Sequence, residues 1–228
     1  LSVLNATGNI VIALIVAVLF SCALSAGVGA IITKGRVPSF IVTLGMQYIY
    51  RSLAIFILDA RGISGEVDNF LQISNYEIGG VFPLPLIYFA VVFFVCFYIS
   101  KYTVLGRRIY AVGSNEQATR LSGIDTDKVK IMAFVLMGLT VAIATIIEAS
   151  RMNSINSASS GNGYELNAIA MAVVGGIAME GGKGHMIGVL FGVIILGVIN
   201  NILTIVGMNV YLVNAVKGAI IIGAVLLQ

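Results

Sequence analysis

The sequence predicts an all-α, polytopic transmembrane helical bundle, and three observations carry that expectation. Of the 228 residues, 59% are hydrophobic and only 10% are charged, with a mean hydropathy of +1.03, whereas a soluble domain carries about 25% charged residues. The apolar residues gather into runs of about 20, the length a helix rising 1.5 Å per residue needs to cross a hydrocarbon core of ~30 Å. The runs lack the period-2 alternation of a membrane barrel strand, so their backbone N–H and C=O groups must be satisfied within each run, as helix.

Six runs are clear: Ile10 to Thr33, Pro38 to Leu58, Leu84 to Tyr98, Ile131 to Ala149, Met186 to Val206 and Tyr211 to Leu227. A seventh, Leu166 to Met179, is rich in Gly and Ala but short for a full crossing. About seven spans are therefore expected. Asp59 to Pro83, Ser100 to Lys130 and Ser150 to Glu165 are long enough to be true loops, and the remaining connections are tight turns.

Charge orients the spans, because short cytoplasmic loops collect Lys and Arg. Lys34, Arg36, Lys101, Arg107, Arg108, Arg120, Lys128, Lys130 and Lys183 are nine of the 13 cations and fall on one side. The other side holds Asp59, Glu66, Asp68, Glu77 and Glu165 against Arg61 and Arg151. This puts Leu1 outside and Ser100 to Lys130 inside. A full crossing by Leu166 to Met179 keeps Lys183 inside, whereas a re-entrant segment would reverse the later spans, so Lys183 favours the crossing.

Several function classes are excluded on composition and motif. The cations form no basic stripe, so nucleic acid is not an expected partner despite a net charge of +3. Cys22 and Cys96 lie in apolar runs and read as small buried hydrophobes. His185 is the one histidine, so no metal-ligand set exists and no metal is expected. Gly182-Lys183 resembles the end of a phosphate-binding loop, but Ile177 stands where that loop needs glycine and position 184 is not Ser or Thr. With no nucleophile–base grouping either, the chain is expected to be neither an enzyme nor a cofactor binder.

The central loop is more organised than a connector needs to be. Ser114 with Gln117 three residues on is a capping-box pattern and Gly123 is a natural stop, which predicts a helix of about two turns over Asn115 to Ser122. Such a helix is marginal alone in water and must rest on something. Ala118 and Leu121, with Val112 and Ile124, offer it a small apolar face, surrounded by Arg107, Arg108 and Arg120.

Ionisable groups within spans cost about 2.5–3.5 kcal/mol on insertion scales, which makes Arg51 and Lys217 functional candidates. Arg51 either snorkels outward or faces a water-filled path, and Lys217 either pairs with a carboxylate or backbone carbonyl in a structural role or contacts the solute. Asn200 and Asn201, adjacent in mid-span, either line the path or hydrogen-bond between helices. Asn156, Asn162 and Asn167 and the Ser157 to Ser160 run are also able to supply weak donors and acceptors. Gly184, Gly188 and Gly192 recur every four residues and leave one helix face nearly bare, for packing within the protomer or at a dimer seam.

The central loop, together with Lys34-Gly-Arg-Val-Pro-Ser-Phe-Ile-Val-Thr-Leu-Gly-Met46, Gly161-Asn-Gly-Tyr-Glu-Leu-Asn-Ala-Ile-Ala170, Val174-Gly-Gly176, Gly181-Gly-Lys-Gly184 and Asn200-Asn201, closely resembles the ribose-type sugar permeases of bacterial ATP-binding-cassette importers. The likeness covers nearly the whole chain. It implies a permease subunit in the bacterial cytoplasmic (inner) membrane that provides the translocation path for ribose or a related simple sugar. The implied partners are a cytoplasmic ATP-binding subunit, an extracytoplasmic sugar-binding protein and a second permease subunit, identical or not. In the family the central loop docks on the ATPase, which marks Gly106, Arg107, Ile109, Tyr110, Ala111, Gly113, Asn115, Ala118, Gly123 and Ile124, beside Arg108 and Arg120 from the charge reading. Family members begin with further spans, so residues 1–228 are expected to be one permease domain holding about seven of ten, with the docking loop at 100–130 inside it. The alternative class is a self-sufficient secondary transporter or channel for a small polar solute, suggested by Arg51, Lys217 and the short Leu166 to Met179 segment.

Overall fold

The computed structural model describes residues 1–79 and 82–226. Gly80 and Val81, in the first long loop, and Leu227 and Gln228, at and beyond the end of the last expected span, lie outside the described residues. In chain order the helices are α1 (Ser2–Thr7), α2 (Ile10–Gly35), α3 (Ser39–Ile57), α4 (Gln72–Asn75), α5 (Leu84–Tyr102), α6 (Val104–Ser114), α7 (Glu116–Leu121), α8 (Thr126–Met152), α9 (Tyr164–Val174), α10 (Met186–Ile205) and α11 (Val210–Leu226). The short strands are β1 (Gly62–Ser64), β2 (Glu77–Ile78), β3 (Phe82–Pro83) and β4 (Ser154–Asn156). Among the described residues, α2, α3, α5, α8 and α10 are long and apolar enough to cross a membrane, and α9 and most of α11 form shorter apolar helices. The all-α polytopic bundle is the observed architecture.

The chain forms two compact units, Leu1–Val95 with Asp125–Ser160, and Cys96–Ile124 with Gly161–Gln228. The first is organised around α2 and α8, which run antiparallel. Helices in lipid gain little by hiding apolar side chains from one another, so small residues that let backbones approach decide where they meet. Ser21, Ser25 and Gly29 supply that face on α2. The Ser21 hydroxyl donates to the Gly138 carbonyl at 2.8 Å. A Cβ on Gly138 would lie 2.8 Å from the Ser25 Cβ, and one on Gly29 would lie 3.2 Å from the Ile131 Cα.

The loops that follow α3 and α8 in this unit are folded rather than open. β1 pairs antiparallel with β4, with Ile63 opposite Ile155. Asn153 closes the same corner, accepting at its carbonyl from the Gly65 amide at 2.9 Å. Ser74 donates to the Ile147 carbonyl at 2.9 Å and hydrogen-bonds the fully buried Ser150 hydroxyl. Leu4, Phe70 and Ala149 make a small apolar core beneath them.

The α8 helix starts where Asp125 accepts from the Lys128 amide at 3.1 Å. The same carboxylate pairs with the Lys128 ammonium at 3.1 Å. The amide bond and then the ammonium hold the Asp125 carboxyl below its ordinary range.

In the second unit the short apolar run between residues 166 and 179 is helical only over Tyr164–Val174. At 1.5 Å per residue that is about 16 Å, half a bilayer core. The helix stops at Gly175 and Gly176, the latter at φ +82°, and the chain does not become helical again until Met186. α9 then lies antiparallel along α10, with a Cβ on Gly175 only 2.7 Å from the Val189 Cα, and one on Gly192 only 2.8 Å from the Gly175 amide nitrogen. The expected glycine face of 184, 188 and 192 is thus corrected in one member. Gly184 precedes α10, at φ +138°, and a Cβ there would meet Ile177. Gly188 and Gly192 meet Gly175 of α9 within the same protomer.

This packing predicts opposite outcomes at two glycines. Gly138→Ala should lower the melting temperature of the detergent-solubilised protein, costing about 1–3 kcal/mol by overpacking. Gly45→Ala, in α3 where a Cβ meets nothing within 4 Å, should raise it, by up to about 1 kcal/mol from helix propensity. Because the folded Asp125 carboxyl titrates below its unfolded value, its cap is at full strength above the unfolded pKa and is lost as pH falls through the folded one. Exchange of the Lys128 amide should accelerate over that acid range, and Asp125→Asn should flatten the dependence.

Candidate coupling surface and translocation path

The loop that joins α5 to α8 is a helical hairpin, α6 and α7. Thr103 turns the chain out of α5: its hydroxyl accepts from the Gly106 amide at 3.2 Å and donates to the Ile99 carbonyl at 2.6 Å. Gly106 is buried in that corner, and a Cβ there would lie 2.7 Å from the Ser100 Cα. The sequence expectation of a helix over residues 115–122 capped by Ser114 is corrected in detail. Ser114 ends α6, and Asn115 caps α7, its side-chain oxygen accepting from the Ala118 amide at 2.9 Å. Asn115 can serve because its extended backbone (φ −158°) points its side chain at the first turn. α6 itself was legible in Leu105, Ile109 and Val112, spaced as one helix face.

The hairpin has two sides. Arg107, Arg108, Asn115, Ala118, Arg120 and Gly123 are exposed, and Leu121 at the end of α7 is 90% exposed. Arg120 lies 3.8 Å from Glu116 one turn back. Ile109, Tyr110, Ala111 and Ile124 are half-buried, and Val112 is buried. The inner side meets the turn between α9 and α10. Tyr110 donates its hydroxyl to the Gly184 carbonyl at 3.1 Å. A Cβ on Gly113 would lie 2.6 Å from the Gly182 amide nitrogen. Lys183 therefore belongs to the same end of this unit as Arg107 and Arg108.

In the same unit Asn167 and Met171 of α9, Asn200 of α10 and Lys217 of α11, with Ala170, Leu196 and Gly197, line a partly open cavity of about 90 Å³. That is room for water molecules. Among the described residues, the side chains of Asn167, Asn200 and Lys217 make no hydrogen bond or ion pair with the protein. Asn201 is exposed and is not one of the lining residues. Asn167 joins the other two because it lies one helical turn from Met171 on α9, a proximity that depends on the glycine crossing with α10.

Arg51 stands elsewhere, in the first unit. Its guanidinium donates to the Ala158 carbonyl at 2.9 Å and the Ser160 carbonyl at 3.3 Å. It reaches to the turn after β4 and secures it.

A sequence profile of the branched-chain amino acid transport system / permease component family matches residues 1–225. The ribose import permease protein RbsC of Escherichia coli K12 is 39% identical over 231 residues, covering 100% of this chain and 71% of that protein. RbsC of Haemophilus influenzae is 40% identical over 87% of this chain and 62% of its own length. The D-allose transport system permease protein AlsC of Escherichia coli K12 is 33% identical over 95% of this chain and 66% of its own. No solved structure matches at comparable significance. With five helices among the described residues able to cross a membrane and a profile match over nearly its full length, the chain belongs to the permease-component family of branched-chain amino acid transport systems, as a membrane permease subunit.

Proposed function

We propose that this subunit provides the translocation path of a bacterial cytoplasmic-membrane importer for ribose or a related simple sugar. A separate ATP-binding subunit docks on the exposed side of α6 and α7, an extracytoplasmic sugar-binding protein delivers the solute, and a second permease subunit completes the membrane core. The subunit itself carries no chemical step. The observation that supports this most is the folded hairpin ending in Leu121, 90% exposed, with Ala118 beside it and Arg107, Arg108 and Arg120 around it. An apolar knob rimmed by cations is suited to a protein pocket rather than to bulk water. The ribose assignment is supported by the relatives named for ribose import, two of which are 39% and 40% identical.

The path is assigned to the cavity of Asn167, Asn200 and Lys217. An ammonium in a span, with no carboxylate against it, needs water or ligand oxygens to be tolerated. Neutral polyols suit such a site: their hydroxyls accept from Lys217 and both donate to and accept from the asparagine amides. No single contact is then strong enough to trap the solute. Arg51 is assigned to the outer turn, since its donors are already engaged there.

Two measurements test this reading. Arg108→Glu, Ala118→Glu and Leu121→Asp should each weaken capture of the ATP-binding subunit by about tenfold or more, as truncations in the centre of an interface do, and should abolish ATP-driven ribose uptake. Unimpaired capture and uptake would remove the docking assignment, and uptake driven by an ion gradient without that subunit would return the chain to the secondary transporters. Lys217→Met should leave capture intact and lower ribose uptake about 10–100-fold, the worth of a charged hydrogen bond. Wild-type uptake by that variant would exclude Lys217 from the path.

A further inference from the structure

We propose that the inner side of α6 is a second contact surface, through which Tyr110 and the Gly113–Gly182 approach position the α9–α10 wall of the cavity when the docking helices move. This rests on the reading of the outer side as the ATPase surface. It reassigns two residues of the loop motif, Tyr110 and Gly113, from an outside partner to the chain's own 176–185 turn.

The contact is rigid for a physical reason. Side chains have rotamers and can absorb a displacement, whereas touching backbones cannot. A Cβ on Gly113 would stand 2.6 Å from the Gly182 nitrogen, one on Gly182 would stand 2.8 Å from the Gly113 carbonyl carbon and closer still to the Ser114 backbone, and one on Gly181 would lie 3.2 Å from the Gly113 oxygen. Tyr110 adds a hydrogen bond of 3.1 Å to the Gly184 carbonyl from one turn earlier on α6. Hydroxyl and glycine seam together fix both the distance and the direction of the turn relative to α6.

The turn is also stiff within itself and tied to the helices on either side of it. The Ala178 amide donates to the Lys183 carbonyl at 3.1 Å, the Gly181 amide to the Ala178 carbonyl at 3.0 Å, and the Ile177 amide back to the Ala172 carbonyl of α9 at 3.0 Å. Beyond it, Gly175, Gly188 and Gly192 lock α9 to α10 with no side chain between. From α6 to Asn167 and Asn200 the connection therefore runs through backbone contacts and hydrogen bonds. Lys217, on α11, lines the same cavity. A shift of α6 is delivered to the α9–α10 pair as a body, changing its separation from Lys217.

The test uses the complete permease reconstituted with its ATP-binding subunit in proteoliposomes, with radiolabelled ribose. Tyr110→Phe removes only the hydroxyl. Gly182→Ala inserts a methyl into the seam at φ +71°, and Gly207→Ala inserts the same methyl at φ +75°, where a Cβ meets nothing within 4 Å. Binding of the ATP-binding subunit and the rate of ATP hydrolysis should hold in all three. Ribose moved per ATP should fall about threefold to tenfold in Tyr110→Phe, as for loss of one neutral hydrogen bond. It should fall by about tenfold or more in Gly182→Ala and stay at the wild-type value in Gly207→Ala. Wild-type coupling in both seam variants would overturn the proposal. So would loss of ATP-binding-subunit capture in step with uptake, since the seam would then merely shape the docking surface. A failed docking reading gives a different result, namely intact capture by Arg108→Glu and Ala118→Glu.

Discussion

Hydrocarbon offers an apolar side chain nothing better on a neighbouring helix than it already has from lipid, so contact between spans depends on how closely backbones can come. In this protein the places of closest approach are glycine and serine positions. Gly138 against Ser21 and Ser25 joins α2 to α8, Gly175 against Gly188 and Gly192 joins α9 to α10, and Gly113 against Gly182 joins the helical hairpin to the turn that feeds α10. Where the chain carries Ile, Leu, Phe and Val instead, much of that surface remains outward, as on α3, where Phe40, Ile41, Phe56 and Ile57 are all exposed. Such surface suits lipid or a further subunit.

Polar groups fall under the complementary constraint that each must find a partner inside the protein or a wet place to be. Ser74 and Ser150 find each other, and Arg51 finds two loop carbonyls. Asn167, Asn200 and Lys217 find none among the described residues and converge on one cavity. The contrast separates polar side chains satisfied within the protein from those left open at a cavity.

The hairpin combines both constraints at the end of a span. Its outer side keeps Leu121 and the arginines exposed, while its inner side uses backbone contact and one tyrosine hydroxyl to stay registered on the chain's own turn. Under the proposed docking, the hairpin would offer an adaptable apolar contact outside and a stiff one behind it.

Much was determined by the sequence alone, because its signals are local. Hydrophobic run length specified the helices, since the requirement for internally satisfied backbone acts residue by residue, and the observed ends of α2, α3 and α10 lie within about two residues of the runs, the usual scatter of helix boundaries. The positive-inside bias set the expected sidedness for the same reason. The cap of α7 was displaced by one residue because Ser114 and Asn115 are both competent caps, and only the corner at Thr103 and Gly106 determines where α6 ends. Ser21, Ser25 and Gly29 carried a readable four-residue spacing, yet spacing names a face without naming its partner. That Gly113 meets Gly182, that Asn167 joins Asn200 and Lys217, and that Arg51 turns to Ala158 and Ser160 were decided only by the tertiary structure. Each joins residues distant in the chain, and no local propensity encodes which of many small residues two backbones will choose for their closest approach.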